Sequence, residues 1–140
     1  MTHHEITKEQ AEDLKARVER AFNERDTKAI EELLGDHLVD HNVLLGGVDI
    51  RQRMARALEV FPDAEFSIDQ YIFQGNAAAW KWSIRGTHAQ EIMGMEPTGK
   101  KVSISGLSAA VLKDGKIIQH WEFSDDQGLL VLAQLEAQTR

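Results

Sequence analysis

Apolar positions along the chain follow two periods in succession, helical over about the first sixty residues and alternating thereafter. From residue 7 to about 24, Ala11, Leu14, Val18, Ala21 and Phe22 recur at helical spacing, and Thr7 with Gln10 makes a capping-box pair. The polar turn at residues 23–27 leads into a short helix around 28–34 that Gly35 is expected to end. Residues 37–45 are mixed: Leu38, Val39, Val43 and Leu44 fit either a strand or an irregular segment, with partial burial the only expectation. After Gly46 and Gly47, Asp49 can cap a third helix over 50–60, which Pro62 closes.

The rest of the pattern predicts strands at 65–73, 77–88, 101–113 and 116–124, with tight turns at Gln74-Gly75-Asn76 and Asp114-Gly115. Leu130, Ala133 and Ala137 return to helical spacing and predict a short terminal helix over 129–138. Helices followed by a run of antiparallel strands give an α+β class. The expected architecture is a curved sheet whose inner face packs on the helices and encloses a cavity, the natural ligand site.

Within residues 113–128, strict alternation puts Ile117, Gln119, Trp121, Phe123 and Asp125 on one face, and Ile118, His120, Glu122, Ser124 and Asp126 on the other. The aromatic stripe predicts that the first face looks into the cavity, with Asp125 at its end. A carboxylate facing an apolar pocket is a candidate proton-transfer group. Asp126, on the opposite face, is the better N-cap for the terminal helix.

Composition removes several classes of function. The chain has 140 residues, the size of one domain, and no cysteine, so neither disulfides nor thiolate chemistry contributes. A net charge of −7 without a basic run repels nucleic acid and anionic membrane surfaces. The polar, acidic first twenty residues lack a signal-peptide core, and no apolar run approaches the roughly 18 residues of a membrane span, so a soluble cytoplasmic protein is expected. His37 and His41 are four apart, but the residues between them lack the glutamate of a zinc helix, and no metal is expected.

The segment GTHAQEIMGMEPTGKKV at 86–102, the turn DGKI at 114–117, Trp121 four residues before Asp125, and Gly128 form an ordered set. With AFNERD at 21–26, Asp40-His41-Asn42, Phe61-Pro62-Asp63 and the GLL at 128–130, that set resembles the SnoaL-like polyketide cyclase (ester cyclase) family of the NTF2-like superfamily. The resemblance spans nearly the whole chain as a single domain, residues 1–140. It implies a cone-shaped curved antiparallel sheet packed against N-terminal helices, a deep apolar pocket, and a homodimer formed through the outer sheet face. It also implies ring closure by intramolecular aldol condensation, without metal or cofactor, with an acid as base. The family's acid falls on Asp125, and its pocket histidines on His41 and His88.

The remaining candidates follow from register and residue type. Trp80, Trp82, Trp121, Phe123 and Gln119 are expected against an apolar small-molecule substrate, His88 at the pocket mouth, and Asn42 as an amide donor to an enolate. Met93 and Met95 suit an adaptable cover. Lys81, Gln90, Glu96 and Gln119 depart from the residues frequent in the family, and Gln119 bears on substrate choice. Two alternatives stay open: a hydrolase like the superfamily's epoxide hydrolases, in which Arg53 or Arg85 enters the pocket beside two carboxylates, and a non-catalytic ligand-binding or partner module.

Overall fold

The computed structural model describes residues 5–44, 49–91, 94 and 96–124. Helix α1 (Lys8–Asn23) starts at the Thr7/Gln10 capping box, and α2 (Thr27–Leu33) starts at Asp26, whose carboxylate accepts from the Ala29 amide. Strand β1 (Leu34–Asp40) follows directly, then the single turn α3 (His41–Leu44) and α4 (Ile50–Val60), which is capped reciprocally by Asp49 and Gln52. Four strands complete the described fold: β2 (Glu65–Gln74), β3 (Ala77–Thr87), β4 (Lys101–Lys113) and β5 (Lys116–Ser124). The expected terminal helix at 129–138 lies outside the described residues.

The architecture is α+β, with one curved, open sheet in the order β1-β5-β4-β3-β2. All neighbours are antiparallel except β1 and β5, which are parallel, so the mixed segment near residue 37 is an edge strand. Gly35 does not end α2 as expected. It lies within β1, where a β-carbon would come within 3.1 Å of Ile118 Cγ2 and 3.2 Å of the Ile117 carbonyl oxygen. The glycine is needed for the close approach of β1 to β5.

The sheet has three register shifts, one in β1 between Leu34 and Val39 and two that are single inserted residues. Between the pairs Ile68↔Trp82 and Gln70↔Lys81, β2 carries Asp69 as an additional residue; between Leu112↔Ile117 and Val111↔Gln119, β5 carries Ile118. Each is a β-bulge, and each exchanges the two faces of its strand. On β2 the inward set passes from Phe66 and Ile68 to Tyr71 and Phe73. On β5 it passes from Ile117, which is buried, to His120 and Glu122. Asp69 stabilises its bulge by accepting from Ser67 Oγ (2.9 Å) and Ser83 Oγ (2.5 Å), and these bonds hold its carboxyl below the usual range.

The core fills the space between the inner sheet face and the helices: Leu14, Val18, Ala21 and Phe22 of α1, Val60 and Phe61 at the end of α4, and Trp80, Trp82 and Ile84 of β3. Trp82 lies across β4 over Gly106, its register partner. A β-carbon there would overlap the indole and come within 2.6 Å of the Phe123 carbonyl oxygen. Gly106→Ala should therefore lower stability by about 1–3 kcal/mol through overpacking. Chemical denaturation followed by tryptophan fluorescence measures the loss, and a blue- or red-shifted native emission reports the displaced indole.

Candidate functional site

A cavity of about 490 Å³ opens between the inner sheet face and helices α1 and α4. Its wall is mostly apolar, with Phe22, Phe61, Phe66, Trp80, Trp82 and Ile84 among the lining residues. Its polar groups gather on one side: Arg53 of α4, Ser108 of β4, and His120, Glu122 and Ser124 of β5; Arg56 also lines it.

Asp40 organises this side. It ends β1 in register with His120, and its side chain is almost wholly buried. One carboxylate oxygen accepts from the Asn42 amide at 3.1 Å and the other from the Ile50 amide at 2.7 Å, so Asp40 joins the starts of α3 and α4. Three residues along α4 from Ile50, Arg53 places Nη1 3.6 Å from Asp40 Oδ2 and donates from Nε to Glu122 Oε2 at 2.6 Å. The guanidinium thus bridges Glu122, a carboxylate of the cavity wall, and the buried carboxylate of Asp40. Glu122 is held from a second side: Trp82 Nε1 donates to Ser108 Oγ (3.0 Å), leaving that hydroxyl proton to Glu122 Oε1 (3.4 Å).

His120 sits between the two acids, 1 % exposed, with Nδ1 3.8 Å from Asp40 Oδ1 and without a hydrogen-bond partner. Burial depresses its pKa below the ordinary histidine value. The nearby charges of Glu122 and Asp40 oppose that effect, and Arg53 adds to it. The imidazole is therefore a neutral base facing an apolar cavity.

Several expected residues lie elsewhere. Gln119, Trp121 and Phe123 occupy the outer sheet face; Phe123 is 66 % exposed, and Trp121 stacks on His41 at 4.2 Å with planes 4° apart. His41 also bonds Gln119 Oε1 at 3.0 Å, so neither residue faces the cavity. The physical reason is the Ile118 bulge, which reverses the expected faces of β5 beyond Ile117. Unbroken alternation from Ile117 was what aimed Asp125 at the cavity, and the bulge breaks it; Asp125, Met93 and Met95 themselves lie outside the described residues. Asn42 is not free to donate to an enolate: Nδ2 donates to the Glu122 carbonyl (2.6 Å) and Oδ1 accepts from the Glu122 amide (2.8 Å). It pairs with β5 as a peptide group would.

His88 is fully buried but is not part of the cavity wall. Its Nδ1 accepts from the Thr98 amide at 3.3 Å and lies 3.1 Å from Thr98 Oγ1, which places the ring proton on Nε2. With the Ala89 amide bonded to the Val60 carbonyl and the Gly99 amide to the His88 carbonyl, it fastens the segment after β3 to the end of α4. Trp80 and Trp82 line the cavity as expected. His120, Glu122 and Ser108, which line it, and Asp40 beside His120 were not assigned to it from sequence. Among the described residues no group of three or more acidic or histidine side chains has metal-site geometry, and no helix is long and apolar enough to cross a membrane.

A sequence model of the family described as SnoaL-like polyketide cyclase matches residues 12–135. No curated protein matches the chain. Among solved structures, AclR from Streptomyces galilaeus, a proposed hydroxylase, is 23 % identical, with 91 % of this chain and 98 % of that one covered and a TM-score of 0.78. TsrD from Streptomyces laurentii is 22 % identical over 89 % of this chain and 95 % of its own, also with a TM-score of 0.78. IdmH from Streptomyces antibioticus, a proposed polyketide cyclase, is 27 % identical over 87 % and 96 %, with a TM-score of 0.73.

The depressed pKa of His120 has a thermodynamic consequence. Below the ordinary value of 6.5 the unfolded chain binds a proton at this site that the folded chain resists. The contribution to stability is thus present above that value and is lost as pH falls toward the folded pKa. In His120→Gln the decline of the urea midpoint between neutral and mildly acidic pH should be shallower than in the wild type.

Proposed function

The chain belongs to the SnoaL-like polyketide cyclase family, and on that premise we propose that it is an enzyme for a small apolar carbonyl compound, working by proton removal at the carbon next to the carbonyl. The observation that supports this reading is the neutral, buried His120 held between Asp40 and Glu122 in the wall of an apolar cavity. Asp40 favours the proton of the free imidazole on Nδ1, which leaves Nε2 as the base. The C–H bond breaks, its electron pair enters the enolate, and the proton passes to Nε2. Asp40 and Glu122 stabilise the resulting imidazolium, and Arg53, a cation of the cavity wall, can face the enolate oxygen. The enolate carbon then attacks a second carbonyl of the same molecule, and the new alkoxide recovers the proton from His120. The sequence is a closed isomerisation that consumes no cofactor.

Asp125 is the base that the family resemblance implies, and the two assignments separate by mutation. With 1-tetralone as probe in heavy water, the protein should accelerate deuterium uptake at the α-carbon over buffer. His120→Gln should reduce that acceleration by roughly 100-fold or more, with the urea midpoint showing that the variant is folded. If Asp125→Asn abolishes exchange while His120→Gln retains it, the base is Asp125. A second reading is favoured by one observation: Arg53 joins Asp40 and Glu122, the arrangement that a water-activating epoxide hydrolase requires. It would show as conversion of styrene oxide to diol with ¹⁸O from labelled water, without deuterium exchange into the ketone.

The same proposal includes a homodimer through the outer sheet face. There Ile72 (73 % exposed), Leu107 (54 %) and Phe123 stand among the cross-strand partners Ala79, Ala109 and Trp121, and an apolar face of this kind marks an interaction surface. Phe123→Lys should convert a dimer to monomer in sedimentation experiments and leave the cavity chemistry in place.

A further inference from the structure

Taking this cavity as the ligand site, we propose that Phe66 sets the length of the ligand it accepts. Two recesses meet at this side chain. One is the apolar cavity, and the other is a polar recess lined by Asn23, Arg25, Asp63, Glu65, Ser67 and Arg85. Among the described residues Phe66 is the only one that lines both. Its ring is the partition between an apolar compartment and a charged one.

Phe66 is held there through its peptide and through its ring. Asn23, the last residue of α1, donates from Nδ2 to the Phe66 carbonyl (2.9 Å) and accepts from the Phe66 amide at Oδ1 (2.7 Å). Asn23 thus fastens β2 at Phe66 in the way that Asn42 fastens β5 at Glu122. The Phe66 ring packs on Phe22 and Trp82, with centroids 4.9 and 6.1 Å away. Swinging the ring aside breaks both contacts, so the partition is a fixed wall.

Phe66 also stands far from the polar groups of the cavity. The sheet order puts β2 and β5 three strand spacings apart, about 14 Å between backbones. Phe66 is in register with Ile84, whereas Glu122 is in register with Ser108 and, through it, with Trp80, four residues away along β3. A carbonyl buried without a hydrogen bond is costly, so a ligand with one polar end places that end beside Ser108, His120 and Glu122 and directs its apolar end toward Phe66. Each methylene buried short of the ring tightens binding about fourfold. A longer chain meets the ring and, beyond it, charged side chains that an apolar group would desolvate.

Fluorescence titration with 2-acetylnaphthalene and its 6-propyl and 6-octyl derivatives tests this role. In the wild type the propyl ketone should bind tighter than the parent, and the octyl ketone no tighter than the propyl. Phe66→Ala should raise the octyl-to-parent affinity ratio about tenfold or more, and Phe66→Trp should lower the propyl-to-parent ratio. A general loosening of the core does not produce such opposite shifts. Phe66→Leu should move the octyl ratio in the same direction as Ala by a smaller amount, and it serves in place of an Ala variant that does not fold. Wild-type affinity that keeps rising to the octyl ketone, or an octyl ratio that the Ala and Leu variants leave unchanged, overturns the role of Phe66 while the cavity reading stands. If 2-acetylnaphthalene does not bind the wild type, the cavity reading fails and the role of Phe66 fails with it.

Discussion

One inserted residue, Ile118 in β5, decides what chemistry faces the cavity. Before it, the strand buries Ile117 against the helices; after it, His120, Glu122 and Ser124 look inward and Gln119, Trp121 and Phe123 look outward. A regular strand would present an aromatic stripe to the cavity and an acid–base pair to the outer surface. The bulge is held by packing: β1 approaches β5 at Gly35, where there is no side chain to stand against Ile118. The parallel pairing of β1 then brings Asp40 opposite His120. The polar side of the cavity thus follows from irregularities in β5 and β1 and one glycine.

Charged groups brought inside by that geometry require partners, and the fold supplies them from backbone as much as from side chains. Asp40 receives the first free amides of α3 and α4, so the same contacts that start the helices solvate its charge. Glu122 is fixed at its side chain by Arg53 and Ser108 and at its peptide by Asn42. Breaking a buried pair by deleting one member is costly because the remaining charge has no water to replace it. The cluster therefore acts as a unit. The Trp82 indole belongs to it as well, because Gly106 lets the ring lie flat enough to reach Ser108.

Much of the fold was legible in the sequence because its signals are local. The Thr7/Gln10 and Asp49/Gln52 caps, the turns at Gly75 and at Asp114-Gly115, and the strand limits all depend on neighbouring residues. The inward register of Trp80 and Trp82 was legible for the same reason: β3 has no bulge. The site was legible only in part. Alternation tells which residues share a face, but it does not survive an inserted residue, and a stripe of tryptophan and phenylalanine is as suited to an interface between subunits as to a core. Asn42 shows a different limit, since its pairing with Glu122 joins positions 80 apart in the chain. Nothing near Asn42 in sequence announces that contact.

The bulge turns His120, not Trp121, toward the tryptophans of β3. Nuclear Overhauser effects between aromatic rings test it most directly, because the ring centroids of Trp80 and His120 lie 6.4 Å apart and bring their protons within range. Cross-peaks are expected between the His120 and Trp80 rings, and between Trp121 and His41, with none joining Trp121 to Trp80. Cross-peaks between Trp121 and Trp80, with His120 silent toward both, would contradict it.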